Sequence, residues 1–326
     1  MKRRWKSRPM LRTVFMGSPE FAVPSLELVN KLCRISAVYT QPDKPRGRGN
    51  KMVPTPVKAK ALELGLPVFE PKKIRDPEVI AQLTEYKPDV IIVVAYAKLI
   101  PPVILELPRL GCVNVHPSLL PKYRGAMPVH ASLMAGETET GVYTFFMDEG
   151  YDTGDLIHHH KTPIESEEAG QELAKRLSVL GAQVLSETIM LLQAGTFTRT
   201  PQPKESVGGY SQQFTKEDFY VDWTQSAQQV VNFIRAMAHD PGARSQTGEL
   251  LLKFGRATVV AAPSTQPGTV LEIVRGKGFQ VACGEGAILV EQVKPAGKGW
   301  MEAWSFLQGG TLKSGAHFQG RSLAQA

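Results

Sequence analysis

The sequence predicts an α/β protein: a Rossmann-like, mostly parallel sheet with helices on both faces, followed by a small OB-like β-barrel domain. Strand-like and helix-like segments alternate over the first 194 residues, which is the pattern of repeated βαβ units. The next segment, to about residue 209, is rich in Thr, Pro, Gln, Ser and Gly, as linkers are. Five short apolar runs separated by glycine turns follow it, which favours a small barrel. We therefore expect a first domain over residues 1–194, a linker over 195–210 and a second domain over 211–326.

Length and charge restrict the class of protein. With 326 residues, of which 42% are hydrophobic and 21% charged, the chain is an ordinary globular one and is too long for a single ordinary core. The formal net charge is +7, but five of the charges come from the amino-terminal residues Lys2, Arg3, Arg4, Lys6 and Arg8. The remainder is only mildly basic, which is compatible with a polyanionic partner such as RNA.

Cysteine content and hydropathy indicate a protein of the reducing cytosol. Cys33, Cys112 and Cys283 are far apart and odd in number, so they predict neither a disulfide framework nor a zinc site. The longest apolar run, from Val90 to Ile100, has about half the length that is needed to span a bilayer. We expect no transmembrane helix, no membrane partner and a cytoplasmic location.

The first elements establish the parallel sheet. Leu11 to Met16 is typical of a strand, Phe21 to Leu32 of a helix and Ile35 to Thr40 of a second strand, which together make a βαβ start. Gly17 stands alone after the first strand. Because the dinucleotide fingerprint G-x-G-x-x-G is missing, an NAD enzyme is not expected.

A basic segment, residues 41–51, follows the second strand. It carries Lys44, Arg46, Arg48 and Lys51 against one acid, and it contains too much Pro and Gly for a helix or a strand. Composition alone favours a solvated surface loop. The alternative is a flexible basic loop that closes on a phosphate backbone.

Later segments complete both predicted domains. Pro88 to Ala95 is a nearly continuous apolar run, as expected of a central parallel strand that is buried on both faces. The other segments of the first domain are helices at 57–64, 77–86, 101–106, 126–136 and 166–192, and strands at 68–69, 110–116, 141–147 and 155–161. In the second domain we expect a helix at 226–236 and strands at 250–254, 258–261, 268–274, 278–283 and 287–293.

Asn114, His116 and Asp152 are the candidate catalytic residues. Asn114 and His116 are two apart on a predicted strand, so they face the same way. They lie at the carboxyl end of that strand, where ligands bind in open α/β sheets. Asp152 lies between Gly150 and Gly154 in the acidic segment 147–155, and its carboxylate can project into a cleft. An amide, an imidazole and a carboxylate suit acyl transfer to an amine. The alternative is a core histidine that is hydrogen-bonded to Asn114.

The run His158-His159-His160 suggests a metal site only weakly. Successive residues of a strand alternate between its faces, so at most His158 and His160 could share an ion. No carboxylate or cysteine pattern in the sequence completes such a site, and no metal is expected.

Several motifs together resemble one family over nearly the whole chain. They are MGSPEFAVPSL (16–26), TQPDKPRGRG (40–49), NVHPSLLPKYRGA (114–126), MDEGYDTGD (147–155) and VKPAGKGWM (293–301). This set resembles the formyltransferases that use 10-formyltetrahydrofolate, and among them those that act on methionyl-tRNA. The basic segment and the predicted barrel distinguish this group from the enzyme that formylates glycinamide ribonucleotide.

The resemblance implies a donor, an acceptor and their sites. It implies that the first domain binds 10-formyltetrahydrofolate, with a pocket lined by Ser118, Leu119, Leu120 and Pro121, and that Asn114, His116 and Asp152 carry catalysis. The acceptor is the α-amine of methionine on initiator methionyl-tRNA. Lys44, Arg46, Arg48 and Lys51 would approach the acceptor end of this RNA, with Arg48 as the principal contact, and the second domain would bind further along the stem. Nothing in the sequence requires an oligomer, and a monomer is expected.

Elementary chemistry gives the three candidate catalytic residues compatible roles. An α-amine with a pKa of about 7.7–8.0 is partly neutral near pH 7, so that it needs positioning more than activation. The Asn114 amide and the His116 imidazole can stabilise the oxyanion that forms on attack. Asp152 would orient His116, favour its cationic form and help to relay a proton to the leaving nitrogen. Two other functions remain open: formyl transfer to an amino sugar nucleotide, and a non-catalytic RNA-binding protein.

Overall fold

The computed structural model describes residues 10–46, 51–205, 207–263 and 265–321, without the side chains of Arg46 and Lys51. Arg48 and the basic residues 1–9 lie outside the described residues. Contacts divide the chain into two compact units. The first unit comprises Met1–Ala126, Thr140–Thr162 and Ala174–Tyr210, and the second comprises Met127–Glu139, Pro163–Leu173 and Ser211–Ala326. The expected domain boundaries at residues 194 and 211 stay a prediction.

A seven-stranded sheet with a parallel centre organises the first unit. The strands that begin in this unit, together with β9, are β1 (Arg12–Gly17), β2 (Arg34–Tyr39), β3 (Lys44–Arg46), β4 (Lys51–Val53), β5 (Val68–Phe69), β6 (Val90–Val94), β7 (Cys112–His116), β8 (Arg124–Gly125), β9 (Glu139–Phe146) and β10 (Leu156–Pro163). Their order in the sheet is β10-β9-β7-β6-β1-β2-β5. The pairs β1–β2, β1–β6, β2–β5 and β6–β7 are parallel, and β7–β9 is antiparallel. The prediction of a mostly parallel α/β sheet is confirmed.

Helices flank this sheet. They are α1 (Val23–Leu32), α2 (Pro56–Glu63), α3 (Pro77–Glu85), α4 (Pro102–Leu105) and α6 (Gly170–Ala194), while α5 (Pro128–Met134) belongs to the second unit. A short 3-10 turn, Glu20–Ala22, precedes α1. Local chemistry sets the helix starts, as at α2, where the Thr55 hydroxyl accepts a hydrogen bond from the Lys58 N–H at 3.1 Å.

Helix α6 packs against the sheet through Gly181. A Cβ at that position would lie 3.0 Å from the Cγ1 atom of Val115, so that glycine permits the close approach. Among the described residues, α6 alone is long and apolar enough to cross a membrane, by length and composition only, and half of its apolar stretch is buried within the protein. Buried core helices meet the same two criteria.

The candidate site lies at the point in the sheet where the strand order reverses. Strand β1 has β2 on one side and β6 on the other, and connections that leave in opposite directions open a crevice beyond the carboxyl ends of such strands. Two residues after β6, Ala95 and Ala97, have positive φ angles of 47° and 57°. Residues other than glycine seldom adopt this conformation, and it often accompanies functional sites. The carboxyl end of β7 lies next to β6 at the same edge.

The basic segment contains strands, so the prediction that it has none was wrong. β3 and β4 pair antiparallel, with Lys44 opposite Val53 and Pro45 opposite Met52. Proline is tolerated here because an isolated two-stranded ribbon leaves half of its backbone N–H groups outside the ladder. Next to the ribbon, the Lys58 ammonium contacts the carboxylates of Asp43 at 2.8 Å and Glu70 at 2.6 Å.

The second unit is an antiparallel β domain. β11 (Tyr210–Ser211) begins at the last residue of the first unit. The elements of the second unit that follow it are a 3-10 turn (Glu217–Phe219), α7 (Ala227–Met237), β12 (Ala243–Thr247), β13 (Leu250–Val260), β14 (Val270–Val274), β15 (Gly278–Ala282), β16 (Ala287–Pro295), β17 (Met301–Glu302) and α8 (Ala303–Leu307). The sheet order is β12-β13-β16-β15-β14, with β17 on β16. Ser226 and Gln229 form a reciprocal capping box at the start of α7.

The segment 316–319 joins the two edges of this sheet. Its Gln319 N–H donates to the carbonyl of Gln246 in β12, and its Phe318 N–H donates to Gly268 beside β14, both at 2.8 Å. Phe318 is fully buried and packs on Trp223, Phe254 and Phe279. A sheet closed on itself around an aromatic core supports the prediction of an OB-like barrel.

Two details of the barrel differ from the prediction. The strands expected at 250–254 and 258–261 are one strand, β13, in which the register shifts on either side of Arg256. Such bulges let a long strand bend without ending, and Gly255 and Arg256 therefore look like a break in the sequence. The mostly polar β12 was not predicted.

Candidate active site

Asn114, His116 and Asp152 come together, as the sequence predicted. The Asn114 amide nitrogen lies 3.5 Å from Oδ1 of Asp152, and Nδ1 of His116 lies 3.6 Å from its Oδ2. The His116 side chain is 5% exposed and that of Asp152 16%. Because both side chains are largely buried, water only partly screens the interaction between His116 and the Asp152 carboxylate.

The backbone of the acidic segment explains how Asp152 reaches this position. Asp152 has a φ of 57°, in the left-handed region that aspartate and asparagine tolerate better than most residues. Its Oδ2 atom accepts a hydrogen bond of 2.8 Å from the Gly125 N–H. At Gly154, a Cβ atom would lie 1.7 Å from the carbonyl oxygen of Phe146, so only glycine fits. Asp148 accepts hydrogen bonds from Gly150 and Thr153, which hold the turn before Asp152.

The polar partners of His116 lie on both sides of its ring. Its Nε2 atom lies 3.0 Å from the carbonyl oxygen of Tyr123, and because a carbonyl cannot donate, Nε2 must carry the hydrogen. On the other side, Nδ1 faces the Asp152 carboxylate. Both ring nitrogens thus face hydrogen-bond acceptors. The alternative was a core histidine hydrogen-bonded to Asn114. It is not supported, because the carboxylate of Asp152 contacts both of these side chains.

Two residues that the sequence analysis did not single out hold the site in place. Gln202 donates from its amide nitrogen to the carbonyls of Asp152 at 3.0 Å and Gly154 at 2.7 Å. Its amide oxygen accepts from Nη2 of Arg124 at 3.0 Å. Arg124 is fully buried and also donates to the carbonyls of Pro203 and Lys204. The position of Gln202 within a polar, linker-like stretch concealed this role.

The segment expected to line the folate pocket follows directly after His116. Ser118 is fully buried, and its hydroxyl donates to the Lys122 carbonyl at 2.6 Å. Leu120 is 5% exposed, whereas Leu119 and Pro121 are half-buried. The segment therefore shapes the turn that carries the Tyr123 carbonyl to His116, and its contact with folate stays a prediction.

The basic residues expected to contact tRNA are only partly described. Lys44 is exposed on β3. Arg48 and the side chains of Arg46 and Lys51 lie outside the part of the chain that the structure describes. Their contacts with RNA stay a prediction.

The histidine run has a carboxylate partner that the sequence did not reveal. Glu187 of α6 contacts Nε2 of His158 at 2.6 Å and Nε2 of His160 at 2.8 Å. The expectation that no carboxylate accompanies these histidines was wrong, because Glu187 is distant in sequence and lies on a helix rather than on the strand.

Comparison with protein families agrees with this arrangement. The model described as "Formyl transferase" matches residues 15–189, and the model described as "Formyl transferase, C-terminal domain" matches residues 213–311. Among solved structures, an N-formyltransferase from Helicobacter canadensis, in complex with folinic acid and dTDP-3-aminofucose, has a TM-score of 0.62 at 18% identity and covers 86% of this chain and 99% of its own. HypX from Aquifex aeolicus, in complex with tetrahydrofolic acid, has a TM-score of 0.59 at 19% identity, over 91% of this chain and 47% of its own. At these identities the similarity shows the fold alone.

Curated relatives are much more similar in sequence. The methionyl-tRNA formyltransferase of Symbiobacterium thermophilum is 46% identical over 312 residues, 95% of each chain. The methionyl-tRNA formyltransferase of Geobacter metallireducens is 43% identical over 306 residues, 94% of this chain and 97% of its own. Both formyl transferase domain models and near-full-length similarity agree with the family resemblance of the motifs. The chain therefore belongs to the formyl transferase family, and within it to the methionyl-tRNA formyltransferases.

Proposed function

We propose that this protein transfers a formyl group from 10-formyltetrahydrofolate to the α-amine of methionine on initiator methionyl-tRNA. The observation that carries the proposal is the meeting of Asn114, His116 and Asp152 at the carboxyl end of β7. The similarity to methionyl-tRNA formyltransferases over 95% of the chain supports the choice of acceptor. The product is N-formylmethionyl-tRNA, which is used in translation initiation.

Each residue of the proposed site has a separate role in the reaction. The folate supplies the formyl group. Asn114 presents an amide N–H that can donate to the formyl oxygen as negative charge develops there, and a single donor of this kind typically contributes ~10²–10³ in rate. His116, with Nε2 bonded to Tyr123, has Nδ1 as the nitrogen that can exchange a proton within the site. As the amine nitrogen bonds to the formyl carbon and the bond from that carbon to the folate nitrogen breaks, the amine gives up one proton and the leaving nitrogen takes one up; His116 and Asp152 can relay this proton, with Asp152 compensating positive charge on His116.

Positioning supports this chemistry. A partly neutral α-amine needs a fixed approach more than a strong base, and correct placement can contribute several kcal/mol to lowering the barrier. The Gly125 N–H and the Gln202 amide fix the carboxylate of Asp152 and the backbone of its loop. We propose that Ser118, Leu119, Leu120 and Pro121 bound the folate pocket, with Leu119 and Pro121, which are half-buried, available for contact.

The acceptor RNA requires a basic surface. We propose that Lys44, Arg46, Arg48 and Lys51 bind phosphates near the acceptor end, and that the second unit contacts the stem. The exposed position of Lys44 on the β3–β4 ribbon supports this proposal. Ends and single-stranded segments are the parts of RNA that proteins contact most readily.

A choice between acceptors tests the proposed function. The protein is incubated with formyl-labelled 10-formyltetrahydrofolate and either methionyl-tRNA or a UDP-amino sugar. We expect label on methionyl-tRNA and none on the sugar. Label on the sugar alone would identify an amino sugar formyltransferase, and label on neither would favour a non-catalytic RNA-binding protein.

A further inference from the structure

His158, His160 and Glu187 form a cluster of metal-ligating groups outside the proposed active site. The two histidines are two residues apart on β10 and so project from one face of the strand. Each Nε2 atom contacts Oε2 of Glu187, at 2.6 and 2.8 Å, and all the potential ligand atoms lie within 4.8 Å of one another. Three converging ligand atoms of this kind are the minimum of a typical transition-metal site.

The scaffold of this cluster is well fixed. The Thr144 hydroxyl of β9 bonds to the Thr188 hydroxyl of α6 at 2.6 Å and to the carbonyl of His158 at 3.3 Å. The helix residue next to Glu187 is therefore tied to the strand that carries the histidines. The amide of Gln183 donates to the second carboxylate oxygen, Oε1, at 3.3 Å. Such outer contacts orient a ligating carboxylate.

The spacing of the ligand atoms is close to what a metal needs. With bonds of about 2.0–2.1 Å, the ligands of a tetrahedral zinc ion lie about 3.4 Å apart. The glutamate oxygen, now 2.6 and 2.8 Å from the two Nε2 atoms, must therefore retreat from each imidazole by roughly 0.6–0.8 Å. The side chains of His158, His160 and Glu187 are 32%, 33% and 31% exposed, so that they can move by this amount and an ion can reach them.

The charge state of the carboxylate also fits. A glutamate side chain is ordinarily ionised at neutral pH, and the contacts with both histidines hold Oε2 of Glu187 in place. Two imidazoles and one carboxylate suit Zn²⁺ and its neighbours in the first transition row better than Mg²⁺ or Ca²⁺.

We propose that His158, His160 and Glu187 bind one divalent transition-metal ion, such as Zn²⁺, and that the ion fastens β10 to α6. The site is separate from formyl transfer. Val115 faces Gly181 of α6, so Asn114 and His116, its neighbours on β7, project from the opposite face of the sheet. A fourth coordination position remains for water.

The histidine run itself supplies a matched control. His159 lies between the two proposed ligands and stacks on Tyr143 at a centroid distance of 4.4 Å, on the other side of the strand. Its replacement removes an imidazole from the same strand without touching the cluster. Glu187→Gln keeps the size and the hydrogen-bonding oxygen of the side chain but loses its charge.

The test is metal titration of the untagged protein after treatment with a chelator. Zn²⁺ binding is measured by calorimetry, Co²⁺ binding by its visible absorption, and thermal stability with and without Zn²⁺. We expect one ion per chain and a higher Tm with metal in the wild type and in His159→Gln. In Glu187→Gln and His160→Ala, affinity should fall at least ~100-fold, since even loss of an outer-shell contact typically costs 10–100-fold. Binding should also weaken as the pH falls, because protons compete for the ligands.

Two outcomes of the metal titration would overturn the proposed metal site. If the wild type shows no saturable binding, or if all four proteins bind with one affinity, the cluster is only a pair of histidine–carboxylate hydrogen bonds and the proposal is overturned. Formylation of methionyl-tRNA by the variants reports that they are folded, because none of the three positions belongs to the proposed catalytic set. Loss of formylation in every protein, with metal binding intact in the wild type, would overturn the proposed function and leave the metal site standing.

Discussion

The replacement Asp152→Asn separates the charge of the proposed site from its geometry. Asparagine tolerates the φ of 57° at this position, and its amide oxygen can still accept from the Gly125 N–H. The negative charge beside His116 is lost, together with the contact that Oδ1 makes with the Asn114 amide nitrogen at 3.5 Å. Asp152→Ala would remove the charge, the hydrogen bond and the tolerance of the backbone conformation together, and it would be harder to interpret.

The size of the effect follows from the separation of the two groups. Opposite charges 3.6 Å apart attract by about 1 kcal/mol in bulk water and by about 5 kcal/mol at the effective dielectric constant of ~20 that applies near protein surfaces. The side chains of His116 and Asp152 are 5% and 16% exposed, so the loss on replacement falls between these two figures. At 1.36 kcal/mol per factor of ten, we expect kcat to fall by ~10²–10³.

The assay measures formylation of methionyl-tRNA under single-turnover and steady-state conditions, with tRNA binding measured in parallel. We expect the loss to lie in kcat, with tRNA affinity nearly unchanged. Asp155→Asn, which removes the same charge from the same loop, is the control and should stay close to the wild type. A rate for Asp152→Asn within about threefold of the wild type, or a loss confined to KM, would refute the role given to this carboxylate.

Three other replacements test the surrounding structure. Gln202→Ala removes four hydrogen bonds, two to the Asp152 loop and two from Arg124; kcat should fall by ~10-fold or more, since misplacement of a catalytic group is costly, and an unchanged kcat would contradict a positioning role. Arg48→Ala should raise the KM for tRNA and leave that for folate unchanged; if the dependence on tRNA concentration does not change, the basic segment is only a solvated loop. Burial raises the pKa of Asp89, but hydrogen bonds from Arg12 and Arg109 outweigh it and hold that pKa at about 2. Because the pKa of Asp89 in the folded protein lies below its ordinary value of 3.8, the ionised carboxylate stabilises the fold by ~2 kcal/mol above pH ~4. That stabilisation is lost as the pH falls toward 2. Urea unfolding of Asp89→Asn should show that deficit at pH 7 and a smaller one near pH 2–3, whereas a constant difference would point to another cause.

Local sequence patterns predicted the elements that carry the proposed site. Val90–Val94 is buried at every position, and continuous apolar character is enough to identify such a central strand. Asn114 and His116 stood out because they are polar residues at the end of an apolar strand. The glycines on either side of Asp152 correctly predicted a tight loop, since Gly154 lies too close to the Phe146 carbonyl for any side chain.

Contacts between residues that are distant in sequence could not be predicted. Glu187 is 29 and 27 residues away in sequence from His158 and His160, which it contacts. No residue near the histidines in the sequence indicates this contact. Gln202 acts through two backbone carbonyls, which leave no trace in the sequence. The bulge around Arg256 made one strand look like two, because local pattern cannot distinguish a bend from a break.

The segment 316–319 has a consequence for the order in which the second unit can be made. It is the last described piece of the barrel along the chain, yet it joins β12 and β14 and supplies Phe318 to the core. Without this segment β12 loses its contact through Gln246, the edge of β14 loses the hydrogen bonds at Gly268 and Val270, and the aromatic cluster lacks Phe318. Exposed edges are where nascent chains pair with one another. The first unit can mature earlier in synthesis, but the barrel cannot close until residues 316–319 have been made, and a ribosome that stalls before residue 316 leaves behind an open, association-prone sheet.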